Sequence, residues 1–246
     1  MTYLKEYTKL TPQEKRQYFY KRKLKKNCSN WDDSMVLLTK LFEKCCPNNI
    51  KVLDAGCGNG NWVIDELPNK FGKKVGIDLN KSSVRKNITL DKIVYGSLEN
   101  MPFKNNEFDA AVSLWVLEHL KSPQKVFEEI SRVLKPGGYF GFVTPNKNYF
   151  LILLKRFLSK SLNNKLVKRL YGRKEIDIFP TYYRANGIEE IKKLAKKSGF
   201  NVVELKQNFD PSYTSFNSLT YSLSKILYKL NLFLFNAHIV CFLKKA

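Results

Sequence analysis

The chain has 246 residues and carries 43 lysines and arginines against 22 aspartates and glutamates, a formal net charge of +21. This length is enough to bury a full core as one domain with elaborations. No uncharged apolar run is long enough to span a bilayer, and an N-terminus with Lys5, Glu6 and Lys9 argues against a signal peptide. We therefore expect a cytoplasmic protein rather than an integral membrane or secreted one.

Cysteine usage agrees with a reducing compartment. The five cysteines form no C-x-x-C pair. We expect no zinc or other metal site and no disulfide framework. The residues concerned are Cys28, Cys45, Cys46, Cys57 and Cys241.

A glycine-rich loop follows the first predicted strand, residues 50–55. Glycine occupies every second position of this loop, at Gly56, Gly58 and Gly60. A strand that runs into such a loop and then into a helix brings backbone close to a nucleotide-like ligand, because no Cβ lies in the way. We expect the N–H groups at the start of that helix to face the anionic part of the ligand.

An aspartate ends the second predicted strand, residues 74–77. Asp78 lies 18 residues after Gly60. A carboxylate at this place can accept hydrogen bonds from both hydroxyls of a ribose. The loop and this aspartate together predict a cofactor that contains adenosine.

The residues around the loop argue against a dinucleotide. Asn61 stands where a dinucleotide-binding loop has its third glycine. Asp54, directly before the loop, would repel a pyrophosphate, but it suits a ligand that carries an ammonium and a sulfonium group.

Later segments extend this pattern, and together with the loop they resemble the class I S-adenosylmethionine (SAM) dependent methyltransferases, in their type-11-like branch. The segments follow the order of that family: 95–103, 108–113, 116–120, 132–138 and 144–146. The family usually has aspartate where this chain has Ser97, so we expect an uncharged hydrogen bond to adenine here. The resemblance implies SAM as the cofactor and assigns its contacts to Asp54, Gly56, Cys57, Gly58, Gly60, Asp78, Leu79, Ser97, Leu98 and Leu114.

The periodicity after the loop region supports the same order of elements. Ser122 is expected to cap a helix that begins at Pro123 and that residues 136–138 terminate. The apolar stripe of this helix consists of Val126, Phe127, Ile130, Val133 and Leu134. Further elements are predicted as a strand over 139–143, a helix over 188–198, and strands over 199–205 and 238–243.

Strands that alternate with helices predict a parallel sheet covered on both faces, so the fold class is α/β. The resemblance implies a Rossmann-like sheet of seven mostly parallel strands, the last one antiparallel, with helices on both faces and helical cap insertions. We expect one methyltransferase domain over 1–246. Its parts are an N-terminal helical region (1–48), the cofactor-binding core (49–146), a cap insertion (147–187), and the C-terminal part of the sheet (188–246) with a helical insertion at about 211–236.

The basic charge is distributed unevenly. Residues 1–30 hold nine lysines and arginines against two glutamates, and residues 149–174 hold eight basic residues and no acid, among many leucines. A third segment has apolar residues at helical spacing, and the favoured interpretation of both apolar stripes is cap helices that pack on the sheet. A lid at an anionic membrane surface and a nucleic-acid-binding face are the alternatives. The stripe of the third segment is Leu219, Leu223, Ile226, Leu227, Leu230, Phe233 and Leu234.

The chain has two histidines, and one of them is a candidate for catalysis. His119 follows the predicted fourth strand, near where the family places the methyl group, and it is the candidate base for a hydroxyl or carbon acid. The alternative is that His119 caps a helix or braces the loop. His238 lies in an apolar strand and is interpreted as a satisfied core histidine.

Contacts with the acceptor are assigned to polar and aromatic residues at the same edge of the sheet. The candidates are Glu118, Asn146 and the run Tyr182, Tyr183 and Arg184, with Arg184 facing an anionic group and a packed hinge as the alternative role of this run. Cys57, inside the cofactor loop, is interpreted as a small filler rather than a nucleophile.

The sequence therefore predicts methyl transfer from SAM to a small-molecule or lipid-linked acceptor, with an anionic membrane as a candidate peripheral partner at its inner face. Nucleic acid is less favoured, because Ser113-Leu114-Trp115 replaces the Asp/Asn-Pro-Pro-aromatic signature of enzymes that methylate base amines, and there is no Pro-Cys pair. An RNA methyltransferase and a non-catalytic SAM-binding subunit stay open as alternatives. Neither the acceptor atom nor the oligomeric state follows from the sequence.

Overall fold

The computed structural model describes residues 10–84, 87–155 and 180–246. Short 3₁₀ helices lie at Leu117–His119, Pro211–Tyr213 and Phe233–Phe235. The other elements are, in chain order, α1 (Pro12–Asn27), α2 (Ser34–Cys45), β1 (Ile50–Ala55), α3 (Trp62–Glu66), β2 (Phe71–Asp78), α4 (Lys81–Val84), β3 (Lys92–Tyr95), β4 (Phe108–Leu114), α5 (Pro123–Val133), β5 (Leu134–Pro145), α6 (Phe150–Lys155), α7 (Ile188–Lys197), β6 (Phe200–Phe209), α8 (Ser218–Lys229) and β7 (Asn236–Lys245).

Among the described residues, the strands form a seven-stranded sheet in the order β3-β2-β1-β4-β5-β7-β6. The pairs β1–β2, β1–β4, β2–β3 and β4–β5 are parallel. The last strand is antiparallel to β5, because Ala237 at its start accepts the N–H of Asn146 at 2.8 Å and Lys245 at its end donates to the carbonyl of Leu134 at 2.7 Å. The predicted fold class is confirmed.

The strand order places a ligand site at one edge of this sheet. From β1 the chain runs outward to β2 and β3 and then returns to the other side of β1 as β4. At such a switch point the loops after adjacent strands diverge and leave a crevice at their carboxyl ends. The residues that follow β1, β2 and β4 are therefore expected to border one crevice.

The described contacts divide the chain into two compact units. The core unit comprises residues 34–145, 181–206 and 239–246, and the accessory unit comprises the described parts of 1–33, 146–180 and 207–238. The expectation of a single domain over 1–246 stays a prediction.

Helix α5 packs in the core unit as its periodicity predicts. Val126, Phe127, Ile130 and Val133 are all buried, and the Phe127 ring centroid lies 5.6 Å from that of Phe140. Two details were wrong. Ser122 makes no side-chain cap hydrogen bond, and the helix ends at Val133, so that Leu134 already belongs to β5. Pro123 at the first position has no N–H that needs a cap, which removes part of the reason for one.

Helix α8 packs in the accessory unit with the face opposite to the predicted one. Tyr221 and Ser224 are buried, and the Tyr221 ring stacks on Tyr20 at 5.5 Å between centroids. Most of the predicted apolar stripe is exposed instead: Leu219, Leu223, Ile226, Leu230, Phe233 and Leu234. The interpretation of this stripe as a buried packing face was wrong.

Much of the predicted cap insertion lies outside the described residues. Of the basic segment 149–174, the structure describes residues 149–155, which include α6. In the parts of the chain that are described, no helix has the length and apolar character needed to cross a membrane.

Candidate cofactor and acceptor site

The glycine-rich loop folds back on the end of β2. The N–H groups of Gly56 and Cys57 both donate to the carbonyl of Ile77, at 2.9 and 3.2 Å. Gly56 and Gly58 have φ angles of +83° and +44°, in the left-handed region that favours glycine. The loop therefore passes directly beside Asp78, the last residue of β2.

Gly56 and Gly58 are glycines for different reasons. A Cβ at Gly56 would clash with the side chain of Val116, whose Cγ1 would lie 3.0 Å away. A Cβ at Gly58 would meet no protein atom within 4 Å, and it would project into open space. Packing within the protein accounts for the first glycine, and the second leaves room for a ligand.

Asp78 is positioned by backbone on both sides. Its Oδ2 accepts the N–H of Gly58 at 2.9 Å, and its Oδ1 accepts the N–H of Asn80 at 2.7 Å. Each carboxylate oxygen has a second lone pair, so the group can still accept two hydroxyl donors. The arrangement orients the carboxylate for a pair of vicinal hydroxyls.

Asp54 at the end of β1 is fully buried and is held by Asn61. The Asn61 Nδ2 donates to Asp54 Oδ1 at 2.8 Å, while its own Oδ1 accepts the N–H of Val63 at 3.1 Å. Burial raises the pKa of Asp54 to about 7. Asp54 Oδ2 is buried without a hydrogen-bond partner among the described residues. It is a ready acceptor for a cationic group.

The helix after the loop is short. Helix α3 has five residues, and Asn61 caps its N-terminus by accepting the N–H of Val63. One of the first N–H groups is therefore already bonded within the protein, and the expectation that the others face the anionic part of the ligand stays a prediction.

The remaining predicted cofactor contacts follow β2, β3 and β4. Leu79 is 62% exposed directly after Asp78, and it offers apolar surface to a flat ring. Ser97 Oγ accepts the N–H of Glu99 at 3.1 Å, which leaves its hydroxyl proton to donate. Leu98 is buried and Leu114 is half-buried at the end of β4.

Cys57 packs between the loop and the sheet. Its sulfur would lie 2.7 Å from a Cβ at Gly76, which explains why β2 has glycine there. Burial raises the pKa of the Cys57 thiol to about 12, so the thiolate is not available as a nucleophile. This burial agrees with the interpretation of Cys57 as a small filler.

A polar cluster lies at the carboxyl ends of β4 and β5. Glu118 is buried, and its Oε2 accepts from Thr144 Oγ1 at 3.3 Å. Asn186 Nδ2 donates to the same hydroxyl at 2.6 Å and to the carbonyl of Pro145 at 3.1 Å. Asn186 Oδ1 is buried without a hydrogen-bond partner among the residues described.

The run 182–184 joins this cluster through the backbone. The N–H groups of Tyr182 and Tyr183 donate to the carbonyl of Glu118 at 2.7 and 3.3 Å. Tyr183 has a φ of +52°, a strained value for an aromatic residue. Arg184 Nη1 donates to the carbonyl of Lys121 at 2.7 Å, so its guanidinium braces this turn.

The other candidates differ in their placement. His119 Nε2 lies 3.8 Å from Glu118 Oε1, beside the polar cluster. Asn146 belongs to the accessory unit, where its Nδ2 donates to the carbonyl of Asn236 at 2.8 Å. His238 is buried, its Nε2 bonds Tyr213 Oη at 3.1 Å, and burial lowers its pKa to about 4. It is a satisfied core histidine, as predicted.

Three site residues were missed from the sequence. In the sequence, Asn61 stands only where a dinucleotide-binding loop has glycine. No sequence motif predicts that its side chain links Asp54 to α3. Thr144 and Asn186 meet Glu118 because β5 and the turn after the cap insertion end at the same place. Of the three, only Thr144 could have been found from the sequence, because it directly follows the predicted strand 139–143.

Comparison with known proteins identifies the family. The sequence profile of a methyltransferase domain matches residues 53–142. An uncharacterized protein of Methanocaldococcus jannaschii is 30% identical over 79% of this chain and 75% of its own length. The 24-methylenesterol C-methyltransferase 2 of Arabidopsis thaliana is 30% identical over 65% of this chain, which spans only 44% of that protein.

A solved structure agrees with the fold. The SAM-dependent methyltransferase from Mesorhizobium loti superposes with a TM-score of 0.56 at 13% identity, over 87% of this chain and 98% of that one. The matched profile covers the loop after β1, the end of β2, and strands β4 and most of β5. The chain belongs to the class I SAM-dependent methyltransferases, and SAM is its cofactor.

Proposed function

We propose that this enzyme transfers the methyl group of SAM to a small-molecule or lipid-linked acceptor. The observation that carries the proposal is the polar cluster at the carboxyl ends of β4 and β5, built from Glu118, Thr144 and Asn186, to which the backbone of Tyr182 is bonded. Asn186 Oδ1 is buried and lacks a hydrogen-bond partner in the described chain. An unpaired buried acceptor is costly, and an N–H or O–H donor of a bound molecule would satisfy it.

Three residues fit the donor. Asp78 is oriented to accept both ribose hydroxyls, and Gly58 leaves the space beside it free of any Cβ. The orphan oxygen of Asp54 suits the ammonium of the methionine part. SAM supplies a methyl group that is already activated by its sulfonium. What the protein adds is proximity and orientation.

His119 is the proposed base. Its ring is partly exposed and its Nε2 lies within 4 Å of the Glu118 carboxylate, which can orient it. A hydroxyl or carbon acid needs such a base, whereas many amines do not. The buried Glu118 acts as a positioning residue, held in turn by Thr144.

An apolar acceptor is supported by the relative named as a sterol C-methyltransferase and by the high positive charge of the chain. A protein with a net charge of +21 is attracted to anionic surfaces, where lipid-linked acceptors are found. Peripheral association with the inner face of a membrane is therefore part of the proposal.

The test is to incubate the protein and methyl-labelled SAM with fractionated lipid, small-molecule, glycan and RNA extracts. We expect label in the lipid or small-molecule fraction, and its loss in Asp78→Ala. The matched control is Asp91→Ala, since Asp91 Oδ2 accepts the N–H of Lys74 on the same strand but lies away from the loop.

Other outcomes point to the alternatives. Label in RNA would make the enzyme an RNA methyltransferase that uses its basic face. SAM binding without label in any fraction would indicate a non-catalytic subunit. With an active fraction in hand, His119→Gln should lower kcat and abolish the fall in rate on the acidic side of the pH profile, where a general base becomes protonated, without changing SAM affinity.

A further inference from the structure

Helix α8 presents an apolar face to solvent. Leu219, Leu223, Ile226 and Leu230 are spaced four, three and four residues apart, which places them in one narrow stripe. Each of these four side chains is between 50% and 80% exposed. The stripe continues after the helix, where Phe233 is 61% exposed. A helix that packs on a protein core buries its apolar face, whereas α8 exposes its own.

The helix is nevertheless well anchored on its other side. Asn27 Nδ2 donates to Tyr221 Oη at 2.8 Å, and Tyr20 stacks on the same ring. Thr214 Oγ1 lies 2.7 Å from Ser224 Oγ, and the rings of Phe209 and Tyr228 are 5.7 Å apart. The polar and aromatic face is thus the one that packs, and the aliphatic face is held outward.

The charge near this face is mostly positive. Lys225 and Lys229 stand on α8, which carries no acidic residue. Helix α1, which packs on α8 through Tyr20, carries seven basic residues and Glu14. Two of the seven are paired, Lys21 with Asp33 and Asp210 and Lys25 with Asp32. A partner of this surface must therefore accept aliphatic side chains and offer negative charge.

We propose that α8 and the following residues 230–234 form a docking surface for an anionic lipid bilayer. A helix of 12 residues is about 18 Å long, so it lies in the interface with its leucines among the acyl chains and its lysines at the headgroups. This deepens the membrane part of the proposed function, and it does not depend on which molecule is methylated.

The same charges disfavour the other occupants. Two copies that met through this face would bring Lys225 and Lys229 of each copy together, and α8 has no acidic side chain to pair with them. RNA would need stacking platforms, and the face offers aliphatic side chains apart from Phe233.

Co-sedimentation of the full chain with phosphatidylcholine vesicles, with and without phosphatidylglycerol, tests the proposal. We expect binding to the anionic vesicles that weakens as salt rises. Leu223→Ser with Leu230→Ser should lower the partition coefficient at least tenfold. The matched control is Val202→Ser with Val203→Ser, two exposed apolar residues on β6, which should leave it unchanged.

A second pair of variants separates charge from insertion. Lys225→Gln with Lys229→Gln should weaken anionic binding about 30-fold, and the exposed α7 pair Lys196→Gln with Lys197→Gln should have a smaller effect. Phe233→Trp should show a blue shift of its emission on anionic vesicles, measured as the difference from the unchanged chain.

Three results would overturn the proposal. The first is equal partitioning of the chain and the Leu223/Leu230 variant. The second is a dimer in sedimentation equilibrium that the same variant dissociates, which would assign the face to a second copy. The third is RNA binding that the variant loses. SAM affinity is measured by calorimetry on each variant. A variant that binds SAM normally but shows no change in vesicle binding contradicts the membrane proposal without contradicting the proposed methyl transfer.

Discussion

Helices α5 and α8 have similar sequence patterns, but α5 buries its apolar face and α8 exposes it. Both are short helices with an apolar stripe of helical period; the polar remainder of α5 mixes basic and acidic residues, and that of α8 has two lysines and no acid. The stripe of α5 is buried against Phe140 and Phe142 in the core unit. The stripe of α8 is exposed, and Tyr221 and Ser224 on its other side are buried.

The difference shows what periodicity can and cannot predict. It predicts that a helix forms and which residues share a face. It does not say whether that face meets the protein or something outside it. In α8 the residues that indicate the packing face are the tyrosines and serines on the opposite side, because these side chains can both pack and form hydrogen bonds.

The largest expected effect comes from truncating the buried stripe. Phe127→Ala in α5 removes a ring that packs on both Phe140 and Phe142, and we expect it to lower the free energy of unfolding by about 3–5 kcal/mol. Leu223→Ala in α8 should change it by less than about 0.5 kcal/mol. Urea unfolding of the two variants measures both values. A large loss in Leu223→Ala would mean that its face is covered in solution.

The same distinction applies to Asp78, which accepts hydrogen bonds from the protein and is proposed to accept two more from the ribose of SAM. Asp78→Ala would remove these two charge-assisted hydrogen bonds, and we expect SAM affinity to fall roughly 10- to 1,000-fold. Because Asp78 also accepts the N–H of Gly58, the loop loses a constraint as well. Calorimetry on the folded variant gives the affinity, with Asp91→Ala as the control. Unchanged affinity in Asp78→Ala would remove the assignment of the donor site.

Much of the core unit could be predicted because its signals are local. Strand β1 begins and ends where the sequence predicts, and the glycines and Asp78 lie together as expected. The polar cluster could not be predicted in this way, since Glu118, Thr144 and Asn186 are far apart in the chain. Their meeting depends on how β4, β5 and the returning chain end at one edge.

Gly56 and Gly58 differ in what a single added methyl group would meet. Gly56→Ala forces a Cβ against Val116, and overpacking of this kind costs about 1–3 kcal/mol of stability. Gly58→Ala finds no protein atom within 4 Å, so we expect a smaller loss of stability but roughly tenfold weaker SAM binding, because the methyl group takes ligand space. Thermal unfolding and calorimetry on both variants check the pair. Equal effects of the two on SAM binding would contradict the assignment.

The smallest expected effect is a pH dependence that originates at Asp54. Burial raises the pKa of this carboxyl to about 7. The folded, ligand-free protein thus keeps a proton that the unfolded chain loses near pH 4, so the contribution of Asp54 to stability falls as pH rises from about 4 to about 7. A bound ammonium reverses the preference, because it favours the carboxylate.

We therefore expect SAM affinity to rise about fivefold between pH 6 and pH 7, a range below the titration of an ordinary α-amino group. Proton release on binding, measured by calorimetry in buffers of different ionisation enthalpy, reports the same event. In Asp54→Asn the side chain cannot titrate, and its hydrogen bond with Asn61 can persist. A pH dependence that persists in Asp54→Asn would mean that another group titrates. It would also mean that Asp54 Oδ2 does not contact the ammonium of the ligand.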